Sequence, residues 1–219
     1  KPNRIKIKMS LPEILQSGED NDIAIEANWL SGPAAAGLKA NVSMSLYSIS
    51  TPFKQYEKYS FNNPLNTFQK SEYKIYDDFL DSEGKASYKY KAPLAQQAPG
   101  MLAANIITRV KEKGGDESIV SNQILFSPYK SYVGVALGDK EFETDSDLSF
   151  PIVTLDHSGN PIDRGLKYKI YKLRWSWWWD DFDYRHDNTG VIVASGNVTT
   201  KEGVAEIPFR VDYPTWGRY

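Results

Sequence analysis

Apolar residues at every second position constrain this chain more than any other feature. Ile5, Ile7 and Met9 alternate with Lys6, Lys8 and Ser10, and Val42, Met44 and Leu46 alternate with Asn41, Ser43 and Ser45. Tyr168, Ile170 and Lys172 lie opposite Lys169 and Tyr171, and Val191 to Val193 forms a further apolar run. A period of two gives one face to a core and the other to water, which is the pattern of sandwich strands. Turn signals punctuate these runs at Lys113-Gly114-Gly115-Asp116, Asp156 to Pro161 and Lys201-Glu202-Gly203. No amphipathic helix of three turns is readable, so the pattern predicts an all-β fold.

Two landmarks occur twice in the same order. Ser31-Gly32-Pro33 runs through Gly37-Leu38-Lys39 into a strand ending at Tyr47, and Ser158-Gly159-Asn160-Pro161 runs through Gly165-Leu166-Lys167 into a strand around Ile170. Downstream of each comes a Glu-Gly-x-Ala turn, Glu83 to Ala86 and then Glu202 to Ala205. The repetition predicts a tandem duplication. The first copy continues through Met101 to Val110 and Ile119 to Phe126, which reads as a closing hairpin. The second copy has only Ile207 to Val211 before Tyr219, so it is expected to lack its closing strands and to present an edge open to pairing with another chain. Proline interrupts the pattern at Ser127-Pro128-Tyr129, which places the domains at 1–127 and 128–219. The aromatic-rich stretch Tyr56 to Lys74 is expected as an excursion within the first of them.

Composition excludes several classes of function. A net charge of -2 without a Lys/Arg block disfavours nucleic acid as a partner. The absence of cysteine removes thiol nucleophiles, disulfides and thiolate metal sites. The chain opens at Lys1-Pro2-Asn3, without an initiator Met or signal peptide, and is read as part of something longer.

The segment Arg174-Trp175-Ser176-Trp177-Trp178-Trp179 carries more indole than one small sandwich easily buries. If the preceding strand continues, Trp175, Trp177 and Trp179 share one face, with Trp178 and Arg174 on the other. Burial in a core or at an interdomain or partner contact is the expected role, because Trp and Arg serve as buried anchors. A sugar-stacking platform is the alternative, and exposure of the three indoles separates the two. The neighbouring Asp180, Asp181, Asp183, His186 and Asp187 lack the spacing of a Ca²⁺ loop and read as a solvated hairpin tip. His157 falls in a turn and is expected to be exposed. No Gly-x-Ser-x-Gly elbow, P-loop, GxGxxG or HExxH is present, so no enzyme, catalytic residue, metal site or cofactor is expected. Asn41-Val42-Ser43 and Asn197-Val198-Thr199 match the N-glycosylation pattern but lie within apparent strands.

Trp29 to Lys39, Asp156 to Lys167, Leu173 to Trp179 and Tyr213 to Tyr219 together resemble the macroglobulin-like domains of bacterial α2-macroglobulins, and Lys1 to Ile7 is similar to the start of such a domain. The resemblance implies two tandem immunoglobulin/fibronectin-like antiparallel β-sandwiches, serving as scaffold in a periplasmic or cell-surface, lipid-anchored protease trap. The family's thioester joins a Cys to a Gln in a Cys-x-Glu-Gln pattern. This chain, without Cys, has no thioester, and no bait region is identified in it. The implied partners are neighbouring macroglobulin domains and, through the full-length protein, target proteases. A surface adhesin or carbohydrate-binding module using the Trp run is the competing function.

Overall fold

A computed structural model describes residues 4–138, 141–173, 190–215 and 217–219. Within them the chain is strands, turns and a single 3-10 turn, Lys54–Tyr56. The all-β expectation is borne out. The chain forms two compact units, Lys1–Pro52 with Asn62–Lys130 and Phe53–Phe61 with Ser131–Tyr219.

The first unit contains β1 (Ile5–Ser10), β2 (Ile14–Gln16), β3 (Asp20–Trp29), β4 (Lys39–Ser48), β5 (Ser71–Phe79), β6 (Lys85–Lys91), β7 (Leu102–Lys111) and β8 (Glu117–Ser127). They make a three-stranded sheet, β1-β3-β6, and a five-stranded sheet, β2-β8-β7-β4-β5. All pairings are antiparallel except β2 with β8, a three-residue parallel match at Ile14↔Leu125 to Gln16↔Ser127. Strict alternation puts Ala40, Val42, Met44 and Leu46 of β4 on one face, where they meet Ile25 and Ala27 from the opposite sheet in one core. Leu102, Ala104, Ile106 and Val110 of β7 and Phe126 of β8 complete it. Each Val, Leu, Ile, Met or Phe among them contributes about 1.5–3 kcal/mol on leaving water, so the alternation read from sequence is also the main source of stability.

The open side of this sandwich, between the edge strands β5 and β6, is closed by tyrosines. Tyr76 and Tyr88 stack with centroids 4.8 Å apart. Burial first, then Tyr76 and Tyr90 nearby, pushes the Tyr88 phenol above its ordinary value of 10.0, and its hydroxyl is buried with no partner among the described residues. A buried, unpartnered hydroxyl costs about 1–3 kcal/mol, so Tyr88→Phe is expected to leave stability at neutral pH unchanged or raise it by about 1 kcal/mol. A raised phenol favours the neutral folded form, so the unfolded chain ionises first and stability falls as pH climbs above about 10. Urea unfolding at neutral and alkaline pH checks both points, and Tyr88→Phe should flatten the alkaline loss.

The second unit contains β9 (Ser131–Val135), β10 (Asp147–Asp156), β11 (Gly165–Lys172), β12 (Val191–Thr199) and β13 (Val204–Arg210). Its sheets are β13-β10-β9 and the pair β11-β12. This repeats five of the first unit's eight strands: β9, β10 and β13 take the places of β1, β3 and β6, while β11 and β12 take those of β4 and β5. Even the irregularity recurs, as β4-β5 slips register at Val42/Ser43 and β11-β12 at Ile170/Tyr171. Among the described residues no strand stands in for β2, β7 or β8.

The turns superimpose bond for bond. Trp29 N–H donates to Pro33 O (2.8 Å), Gly32 N–H to Trp29 O (2.9 Å) and Ala27 N–H to Gly84 O (2.9 Å). The second unit has Asp156 to Asn160 (2.9 Å), Gly159 to Asp156 (3.1 Å) and Thr154 to Gly203 (2.8 Å) in the same roles. Gly32 and Gly159 share a left-handed conformation, as do Gly84 and Gly203. The Gly-Leu-Lys triplets, expected to match, do not. Pairing begins at Lys39↔Phe79 and at Gly165↔Thr199, which aligns Lys39 with Gly165 and offsets the triplets by two residues. Gly37 is left-handed at φ +63 and Gly165 is not, because the second connection is one residue shorter after its shared glycine.

The division differs from 1–127 and 128–219 mainly in one segment. Residues 53–61, expected inside the first domain, belong to the second unit, so the stretch Tyr56 to Lys74 is split at Phe61/Asn62.

Candidate interaction surfaces

Position in the chain puts the Trp-rich run in the connection between β11 and β12. Arg174, Trp175, Trp177, Trp178 and Trp179 lie outside the described residues, as do Asp180, Asp181, Asp183, His186 and Asp187. The ends of that connection are described. Lys172 pairs with Val191, and Leu173 N–H donates to Arg218 O at 2.7 Å. The tail continues the contact: Lys172 Nζ lies 5.6 Å from the Tyr219 ring centroid, and Tyr219 packs edge-on to Phe209 at 5.4 Å. The residues flanking the indoles are therefore held by backbone pairing on one side and an aromatic–cation contact on the other.

The sheet edges differ in how they are occupied. On β9, Ser60 and Val135 exchange both backbone hydrogen bonds, at 2.9 and 3.0 Å. On β11 the side away from β12 has, among the described residues, only the single bridge Leu173↔Arg218. The equivalent side of β4 pairs with β7 along ten residues. β12 is apolar yet exposed at Val191, Ile192 and Val193. An unpaired edge beside exposed β-branched residues is a surface adapted to strand pairing.

Nothing described assembles into a reaction centre. A shallow groove of about 280 Å³ on the first unit is lined by Lys39, Asn41, Arg109, Lys111 and Glu117. It holds three cations and one carboxylate, with neither a carboxylate pair nor a nucleophile beside a base. Among the described residues no three His, Asp or Glu converge as metal ligands, and no helix is long and apolar enough to cross a membrane. His157 sits in the β10–β11 turn, half-buried rather than exposed as expected. Asp156 beside it is a turn anchor. Burial pushes its carboxyl up, but Asn160 and Ser158 donors and the His157 charge outweigh that and lower it. Its Oδ1 accepts from Ser158 N at 2.8 Å and Asn160 N at 2.9 Å.

Sequence reasoning passed over one ion pair. Glu112, 8% exposed, accepts from Arg4 at 3.1 Å, and Arg4 lies 5.8 Å from the Trp29 ring centroid. The contact fixes the start of β1 and is structural. Arg4 and Glu112 stand 108 positions apart, so no local pattern announces it.

Comparison with known proteins agrees with this architecture of strands. A family model described as the bacterial alpha-2-macroglobulin MG5 domain matches residues 3–121, and one described as bacterial macroglobulin domain 6 matches residues 134–219. Comparison with the curated proteins gave no match. Among solved structures, the native conformation of E. coli alpha-2-macroglobulin is 14% identical with a TM-score of 0.61, covering 96% of this chain and 15% of that one. Trypsin-activated alpha-2-macroglobulin from Escherichia coli gives 14% and 0.63 over 96% of this chain and 15% of that one. Salmonella alpha-2-macroglobulin reacted with methylamine gives 14% and 0.58 over 99% and 15%. Identity at this level shows the fold, and the chain spans about 15% of the length of these relatives. With two successive domain models covering it in chain order, the chain belongs to the bacterial α2-macroglobulin family, as two consecutive macroglobulin domains.

Proposed function

We propose that these two domains are scaffold in a bacterial protease trap: they carry neither its bait nor its reactive centre, and they position the parts that do. The observation that carries the reading is the order of the two domain matches along 219 residues with no cysteine. A chain without Cys holds no Cys–Gln thioester, and its strands bury their apolar faces within each unit rather than around a substrate. The solved E. coli relatives are described as activated by trypsin and by porcine elastase, and proteases of that kind are the proposed targets of the full-length protein. In this reading the chain is not an enzyme, and the parent is extracytoplasmic and lipid-anchored.

Arg174, Trp175, Trp177, Trp178 and Trp179 are proposed as a contact to a neighbouring domain. Indoles bury large areas, the run belongs to the connection from β11 to β12, and the described end of that connection exposes Val191 to Val193. In isolation that edge would self-associate, and a strictly monomeric chain across a concentration series removes this part of the proposal.

Sequencing the reading frame on both sides tests the whole. The proposal expects a Cys-x-Glu-Gln downstream and a lipoprotein signal upstream. Flanks made of further sandwiches without either would turn it down in favour of an adhesin-like array. Tryptophan fluorescence against a glycan panel separates the second reading: sugar-dependent quenching would assign the indoles to carbohydrate, and no response keeps them as a domain contact.

A further inference from the structure

We propose that Phe53–Phe61 is a strap that the second unit requires for its fold, bound there as an aromatic ligand and held by a neck in the first unit. Five observations carry this. The strap's backbone extends the second unit's sheet, since Ser60 and Val135 exchange hydrogen bonds across the outer edge of β9. Phe53 is buried, with its centroid 4.8 Å from Phe61 and 5.5 Å from Tyr132, both edge-on. Among the described residues, Tyr132, Ile152, Val153 and Leu155 are the second unit's other buried hydrophobics, so one in five of that core comes from the strap.

The seat is shaped for these rings. A Cβ at Gly134 would stand 2.5 Å from Phe61 Cε1, and one at Gly159 would stand 3.1 Å from Phe53 Cδ1. Gly134 breaks the run of larger residues along β9, and its missing side chain is the space Phe61 fills.

The neck begins at the next residue. Asn62 Oδ1 accepts from Thr51 N at 3.1 Å, Asn62 Nδ2 donates to Ile49 O at 2.7 Å, and Asn63 N donates to Pro99 O at 2.7 Å. Met101 N donates to Thr51 Oγ1 at 3.1 Å. One part-buried amide side chain thus ties together both ends of the connection from which the strap leaves, within the first unit. Fixing the ends lowers the entropy lost when the strap seats, as any pre-organised ligand does. The stability of the second unit is thereby linked to the fold of the first through nine residues.

Amide hydrogen exchange on the full chain tests this. In Phe53→Ala/Phe61→Ala, exchange at Tyr132 to Val135 and Thr154 to Asp156 should quicken by about tenfold or more, with Met44 and Ile106 unchanged. Asn62→Ala, which alters no residue of the second unit, should quicken the same β9 amides to a smaller degree. A synthetic peptide of residues 53–61 added to the double variant should restore their protection. Unchanged β9 exchange in both variants would overturn the proposal, and so would equal acceleration in both units or a failure of the peptide to restore protection.

Discussion

Gly84→Ala is expected to destabilise the first unit by about 3 kcal/mol, a large share of the roughly 5–15 kcal/mol that holds a domain folded. Two effects combine. Gly84 sits at φ +73, where any other L residue is strained by about 1 kcal/mol or more. A Cβ there would also lie 2.5 Å from Ala27 O and 2.9 Å from Ala35 N. Both atoms are backbone, and they are hydrogen-bonded to each other at 3.0 Å, so neither yields without disturbing the crossing from one sheet to the other. Gly32→Ala provides the control: φ is +110 but nothing lies within 4 Å of the added carbon, so only the strain of about 1 kcal/mol remains. Thermal unfolding of the two variants checks the difference. Gly203→Ala, against Pro161 and Thr154 O, should do to the second unit what Gly84→Ala does to the first.

Phe126→Ala is expected to cost about 3–5 kcal/mol, the usual range for emptying a fully enclosed aromatic site. Phe126 is 0% exposed. It pairs with Leu102 of β7 on one side and with Leu15 of β2 on the other, so its ring seals the end of the five-stranded sheet. The cavity left there has no solvent access through which to relax. Leu65→Ala, at a residue 80% exposed, should change stability by no more than about 0.5 kcal/mol. Urea unfolding followed by exchange at Met44 and Ile106 reads both.

Much of the first unit was legible because its strands obey a period of two along most of their length. Ile5, Ile7 and Met9, or Val42, Met44 and Leu46, reveal a buried face without reference to any partner. The turns were legible where backbone conformation forces glycine, as at Gly84 and Gly203. What periodicity does not encode is which strand lies beside which. The three-residue β2 leaves no pattern, and its parallel match to β8 is some 110 residues away in sequence. The packing of the strap was hidden for the same reason: Phe53, Tyr56, Tyr59 and Phe61 announce burial, but their acceptor residues Tyr132, Gly134 and Gly159 begin more than seventy positions later. The Gly-Leu-Lys triplets failed in the opposite direction, as letters shared without a shared backbone position. The tyrosine seam of Tyr76 and Tyr88 was likewise hidden, since each residue only continues its own strand's alternation.

The family relationship came from motif residues, and it carries the role of these domains further than any single side chain does. The most direct test of an inert scaffold is to incubate trypsin with increasing amounts of this chain and follow hydrolysis of a protein substrate. The account predicts full trypsin activity at every ratio and no covalent complex by intact mass. Stoichiometric loss of that activity, or a trypsin adduct on this chain alone, would contradict it.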